Sequence, residues 1–505
     1  MIKMNFLDIE FENQESKDTL KEIVDIVSQY DIYDFISRLA GLNLMPENQN
    51  KSVLLDSLVE YILRNDKSIY VSNAKMSPSK FKKVMDHLNN TFLSASIDPC
   101  ENTFTQNIMF SENNYRVFNG IDSTPAYNLQ VLIRILFQYN NDYPEEFLNK
   151  CFILLLLVLE ISEEIASGLS LNFSEIKYDE QQMVILPSSE KVSHFAKSVK
   201  ISMDKVLNLI NNYFDVSEIA IEFGNHNISD YDNRVFYTRP FLLEEEKNNL
   251  IILNISLLPI FAFYKVIEWA CLYGINEKVI NRYNEYQWLE TEKSLNSLGH
   301  KKVNEESVGL RCIDNNYYKE MVVTVYNNQQ MLVVFLCDDG YKYPDDGIHI
   351  QYPDDRHNIL FKQRLLYFEK KIKNLKNQKE DWFLLVVVSG FGRGIGYRET
   401  VYPFAYKPVN LNPFELHCVS INEKKLDAFL PRYIRAKSQL NTPMSGMMSE
   451  LDTICLYTSN DYSFNLSDDI NLSEMIFFVA PGDSINYISK ALIEVNRMLV
   501  GSYVY

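Results

Sequence analysis

Small catalytic motifs are scarce in this chain. Its seven cysteines, at 100, 151, 271, 312, 337, 418 and 455, stand singly without a C-x-x-C pair, which argues against a disulfide-built scaffold or a zinc site and fits a reducing compartment. Glycine and proline number 16 each in 505 residues, too few for a low-complexity chain, and no internal repeat points to a solenoid. The seven histidines, at 87, 194, 226, 300, 349, 357 and 417, show no metal-ligand spacing. There is no G-x-S-x-G elbow and no G-x-x-x-x-G-K-[ST] loop, which disfavours α/β-type serine hydrolases and P-loop nucleotide hydrolases.

Long apolar runs are lacking too. Cys151 to Leu159 is followed by Glu160, and the stretch from Leu250 to Ala270 is interrupted by Asn254, Pro259, Lys265 and Glu268. Both fall short of the roughly 20 clean apolar residues of a membrane span. The N-terminus turns acidic within its first residues and offers no signal-like apolar core. The expectation is a cytoplasmic protein with no membrane contact.

What is present describes a packed globular protein: 46% hydrophobic and 13% aromatic residues, enough to bury several cores. Net charge is -18, so contact with a polyanion has to come from a local patch rather than from the whole surface.

Apolar positions recur at three and four over Leu20 to Leu39, Val53 to Leu63 and Phe81 to Leu88, which predicts helices. A further helix is predicted after Ser123-Thr124-Pro125, and others over 145–167 and 202–213. Residues 96–123, rich in Asn, Asp, Ser and Thr, read as a loop. Residues 218–222, 234–238 and 249–255 read as short strands, followed by a helix over 258–274. The resulting division is a helical domain over 1–120, a second helical domain ending in a small β element over 121–275, an α/β domain over 276–420 and an α/β extension over 421–505. In that extension Pro431 interrupts a basic helix beginning near Asn422, residues 454–457 and 475–479 read as strands, and 484–499 as an amphipathic helix.

The segment 276–420 is the most informative. A helix from Glu277 leads into the turn Leu298-Gly299-His300, and a strand is expected over 310–313. Tyr317 to Tyr326 and Met331 to Cys337 then form a hairpin through Asn327-Asn328. A long helix over 358–377 follows, then Trp382 to Val388. The runs 331–337 and 382–388 are apolar on both faces, as central strands of a covered sheet are.

This order of helix, hairpin, central strand, helix and strand resembles the core of the PD-(D/E)xK, or restriction-endonuclease-like, superfamily, over about 145 of the 505 residues. The fold class this implies is α+β multidomain: a mostly α-helical N-terminal half and a C-terminal α/β restriction-endonuclease-like sandwich. The resemblance implies an acidic residue at the start of the hairpin's second strand and an acid-x-Lys triplet on the next strand, the acids holding Mg²⁺ and the lysine steadying the scissile phosphate. Glu320, or Asp314 with a register change, would be the first acid. The triplet would fall within Val334 to Cys337, where Val, Phe, Leu and Cys stand instead. The motif therefore reads as degenerate. The alternative is an active Mg-dependent nuclease in which Glu320, Asp338 and Asp339 hold the metal and Lys342 or Lys362 replaces the missing lysine. Asp338, Asp339, Asp345, Asp346, Asp354 and Asp355 lie within 18 residues, dense enough to attract a cation, although strand-ending turns use the same residue types.

Residues 356–379 hold eight lysines and arginines against Glu369 alone, a net of +7. Leu365, Phe368, Ile372 and Leu375 recur at three and four, which predicts a helix with one buried stripe and outward cations. Lys362, Arg364, Lys370, Lys371, Lys373 and Lys376 are accordingly candidate phosphate contacts. The stretch Ser389-Gly-Phe-Gly-Arg-Gly-Ile-Gly396 lacks the two-residue gap of a dinucleotide loop. It reads as a strand-end loop, with Arg393 and Arg398 as candidate anion contacts. The role that the resemblance implies is nucleic-acid or partner recognition within a bacterial antiviral or restriction complex; a scaffold that meets only proteins is a second alternative.

Overall fold

A computed structural model describes residues 14–45, 48, 51–70, 72–91, 105–110, 113–118, 124–169, 183–224, 235–244, 246, 248–302, 318–324, 330–336, 383–389, 406, 409–423, 428–439 and 450–464. The class is α+β, helices predominating around small sheets. Two compact units are formed, one of residues 1–129 and 139–266, the other of 130–138 and 267–505.

In the first unit the helices are α1 (Gln14–Val27), α2 (Ile32–Leu42), α3 (Ser52–Arg64), α4 (Pro78–Thr91), the start of α5 (Thr124–Gln138), α6 (Glu145–Leu169), α7 (Ser189–Ser198), α8 (Met203–Ile210), α9 (Val235–Thr238) and most of α10 (Leu258–Leu272). The periodic stretch 20–39 is divided because Asp31 starts a new helix: its carboxylate accepts from the Tyr33 and Asp34 amides at 3.0 and 3.2 Å, an N-cap that satisfies donors the first turn leaves open. Helix α2 lies so close to α7 that a Cβ on Gly41 would stand 2.8 Å from the Ala196 nitrogen and 2.9 Å from the Phe195 carbonyl carbon.

Part of the expected loop over 96–123 is a β-hairpin, β1 (Thr105–Phe110) with β2 (Asn113–Phe118), antiparallel with Ile108 opposite Tyr115. Its alternation is short and hidden among Asn and Thr, but Ile108, Phe110, Tyr115 and Val117 are buried. Side chains on α6 hold it. The Tyr115 hydroxyl donates to Glu160 at 3.1 Å, and the Arg116 guanidinium pairs with Glu163 at 2.6 Å. That arginine brings the Glu163 carboxyl down to about 2.

A four-stranded sheet follows in the order β3 (Lys200–Ser202), β6 (Asn249–Ile252), β5 (Phe241–Glu244), β4 (Ala220–Glu222). The expected strand over 234–238 is instead the helical turn α9. Both sides of β5 are already taken, by β4 and β6, so a further strand would find no place beside it. The stretch Ile255–Leu272 is long and apolar enough to cross a membrane by composition alone, and 67% of it is buried inside the protein, as in a core helix.

The second unit contains α11 (Asn276–Ser297) and a five-stranded sheet in the order β11 (Val409–Leu411), β10 (Phe383–Val388), β9 (Gln330–Leu336), β8 (Tyr318–Thr324), β7 (Lys301–Lys302). β7, β8 and β9 are antiparallel, whereas β9, β10 and β11 run parallel. Helices α12 (Pro413–Glu423), α13 (Phe429–Gln439) and α14 (Glu450–Ser459) follow. Pro413 opens α12 and Pro431 lies in the first turn of α13, where the missing N–H costs nothing. Residues 454–457, expected as a strand, belong to α14. Leu451, Ile454 and Cys455 are buried at three- and four-residue spacing, and a four-residue apolar run cannot distinguish that stripe from a strand. The expected strands over 310–313 and 475–479 and helices over 358–377 and 484–499 fall outside the described residues.

One carboxyl of the first unit is set against its surroundings. Asp56 on α3 accepts from the Asn43 side-chain amide at 2.9 Å and the Asn254 side-chain amide at 2.7 Å. Desolvation outweighs both donors and, with Glu60 adding to it, pushes this carboxyl from 3.8 up to about 7. A raised folded-state value means stability that is complete below the unfolded value and lost as pH rises through about 7. Thermal unfolding followed between pH 5 and 8 should show the wild type losing stability with rising pH and Asp56→Asn losing less. Gly41→Ala should destabilise the protein by about 1–2 kcal/mol in urea titration, since overpacking against backbone exceeds the helix propensity gained.

Candidate functional site

The carboxyl ends of β9 and β10 are the place where the second unit's sheet offers chemistry. Parallel strands in α/β folds open ligand crevices at their carboxyl ends, and these two end side by side, Leu336 in register with Val388. Met331, Leu332, Val333, Val334 and Phe335 on β9 are buried, as are Phe383 to Val387 on β10. The interior of the pair is therefore apolar, and polar groups are confined to its margins.

Helix α11 covers one face of this pair. Trp288 meets Phe335 edge-on at 5.5 Å between ring centroids. One turn earlier, Asn284 accepts a 3.0 Å hydrogen bond from the Ser389 hydroxyl, and both side chains are buried. Ser389 directly follows β10, so this bond ties the strand's carboxyl end to the helix. The same helix buries Gln287, whose amide donates to the Tyr283 hydroxyl at 3.1 Å, and Thr291. Arg134 of α5 donates to the Tyr286 hydroxyl at 2.6 Å, with its guanidinium 5.0 Å from that ring's centroid. Burial, and then Glu290, hold the Tyr286 phenol well above its ordinary value.

Of the site residues expected from sequence, Glu320 lies on β8 in register with Val334. Asp338, Asp339, Lys342, Lys362, Arg364, Lys370, Lys371, Lys373, Lys376, Arg393 and Arg398 lie outside the described residues. Among the described residues no group of three His, Cys, Asp or Glu is arranged to hold a metal ion. Val334 and Phe335, in the triplet's expected place, are core residues at 1% and 0% exposure.

A second polar cluster was not anticipated. Glu450, at the start of α14, receives the Lys437 ammonium on both carboxylate oxygens at 2.7 and 2.6 Å. It also accepts from the Tyr433 hydroxyl and from the backbone amide of Asn410 on β11, the latter at 3.3 Å. All four residues are buried, and burial together with Glu450 keeps the Tyr433 phenol far above its ordinary value. The cluster binds α13 and α14 to the edge of the sheet. Reading 454–457 as a strand concealed Glu450 as the opening residue of a helix. Asn284 was hidden for a different reason: one asparagine on an amphipathic helix carries no signal until its partner is known.

No protein-family model, curated protein or solved structure matches this chain.

The buried pair makes a stability prediction. Lys437→Met would leave the Glu450 charge uncompensated and should cost about 3–5 kcal/mol. Combining it with Glu450→Gln, which keeps an acceptor for Tyr433 and Asn410, should restore at least half of that loss in denaturant unfolding.

Proposed function

We propose that this chain is a nucleic-acid- or partner-recognition subunit of a bacterial antiviral defence or restriction complex, with a restriction-endonuclease-like domain whose catalytic motif has decayed. One observation carries this reading. The second unit combines an antiparallel β7–β8–β9 meander with a parallel β9–β10 pair under α11, while Val334 and Phe335, where the acid-x-Lys triplet would stand, are buried core. A carboxylate at such a position would lose its hydration and need a metal or a cation to compensate. Apolar residues there serve packing instead. The frame then contributes shape, and its contact with a ligand falls to elements around the strand ends.

The basic segment 356–379, at +7 in a chain of net charge -18, supplies the chemistry for a phosphate backbone. Contacts of that kind position a protein without reading sequence, and their strength falls steeply with salt. Catalysis in the assembly belongs to another subunit.

Two measurements on the full chain test this. In salt-titrated binding to DNA and RNA, reversing Lys370, Lys371 and Lys373 to glutamate should reduce the slope of log affinity against log salt by about two to three. An unchanged slope removes the basic segment from the interface, and no binding to either nucleic acid favours the protein-only scaffold. In the second, Mg²⁺ or Mn²⁺ should support no cleavage of DNA or RNA. Robust cleavage that Asp338→Ala with Asp339→Ala abolishes would replace this reading with an active nuclease.

A further inference from the structure

The first unit carries a surface groove of about 300 Å³ between α8 and the β4–β5 pair, at the lower end of ligand-pocket volumes. Its floor is apolar, formed by Met203, Ile210 and Leu243, with Leu207 beside them. Met203 and Ile210 are buried, whereas Leu207 is 47% exposed on the same short helix. Its apolar surface is therefore left in water.

The rim is acidic. Glu222 projects from β4 into register with Leu243, and Asp215 stands at the start of the turn Val216–Glu218; both are exposed. Asp215 accepts from the Ser217 amide at 3.0 Å, a bond that holds its carboxyl below the ordinary carboxylate range and keeps it ionised. Two lysines on the neighbouring elements are committed to other acids. Lys150 pairs with Glu218 at 3.0 Å, and Lys205 pairs with Glu164. Two carboxylates over an apolar floor thus leave a negative potential at the groove's mouth. The complementary occupant is apolar in its centre and positively charged at its flanks.

We propose that this groove docks a peptide segment of a protein partner in which an apolar side chain, seated against Met203, Ile210 and Leu243, is flanked by lysine or arginine facing Asp215 and Glu222. The groove shares no lining residue with the second unit's sheet or with the basic segment 356–379. Loss of nucleic-acid binding in the lysine-reversal variant would leave the groove's behaviour unchanged, so the two readings fail separately.

The test is methyl NMR of the full chain, labelled at Met, Ile and Leu and titrated with the synthetic peptide Ac-Lys-Leu-Phe-Lys-NH2. The Met203, Leu207, Ile210 and Leu243 methyls should shift saturably. The acidic counterpart Ac-Glu-Leu-Phe-Glu-NH2 should bind more weakly. Neutralising the rim with Asp215→Asn and Glu222→Gln, which keeps the turn's capping oxygen, should weaken the lysine peptide about threefold or more, on the scale of exposed ion pairs. Glu222→Lys should shift the preference toward the acidic peptide, which a misfolded variant would not do. Absence of saturable shifts, or an equal response to both peptides in every variant, overturns the proposal.

Discussion

Because β9 is bounded by β8 on one side and β10 on the other, and because Met331 to Phe335 are all buried, the centre of the second unit's sheet admits only apolar side chains. Taking an isolated carboxylate out of water costs several kcal/mol unless a metal or cation meets it. The parallel β9–β10 pairing thus decides where chemistry can occur. Polar groups are pushed to the strand ends and the sheet edge, where two of them meet partners on covering helices. Ser389 is bonded to Asn284 of α11, and the Asn410 amide to Glu450 of α14.

These two junctions solve the same problem by different means. Ser389 and Asn284 are neutral, so the cost of burying them is covered by one good hydrogen bond. Glu450 is charged, and its burial requires Lys437, Tyr433 and a backbone amide together. Such an assembly adds little net stability over a well-packed apolar core, yet it tolerates one arrangement and penalises others. Helices α13 and α14 are held to β11 by that requirement. The sheet's position under α11 is likewise held by Ser389 and by the Trp288–Phe335 contact.

Legibility in the sequence followed the length and regularity of each element. Helices α3, α4, α6, α10 and α11 and the strands β8, β9 and β10 could be read directly, the helices from their length and β9 and β10 from short, continuous, β-branched apolar runs. Among the short elements α8, β4 and β6 were legible, but β1, β2, α9 and α14 were not. In β1 and β2 the buried alternation is only two or three residues deep among asparagines. Residues 235–238 and 454–457 are apolar runs of one helical turn, for which strand and helix give the same pattern. Site residues divided along similar lines. Glu320 could be placed on a hairpin strand because that strand was legible, whereas its register with Val334 and the pairs Asn284–Ser389 and Lys437–Glu450 are brought together only by the fold.

Charge distribution bears on which surfaces can meet a polyanion. In the first unit Arg116 is engaged by Glu163, Lys150 by Glu218, Lys200 by the buried Glu244 and Lys205 by Glu164. In the second unit Lys437 is enclosed with Glu450 and Lys293 is paired with Glu290. Using any of these cations against a phosphate would first require breaking its pair and leaving a carboxylate near the incoming negative charge, which cancels much of the gain. With acids exceeding bases by 18 over the chain, a phosphate contact is cheapest where cations outnumber acids locally. The segment 356–379 meets that condition, eight against one. The same arithmetic explains why an acidic groove such as that between α8 and the β4–β5 pair suits a basic peptide and not a nucleic acid.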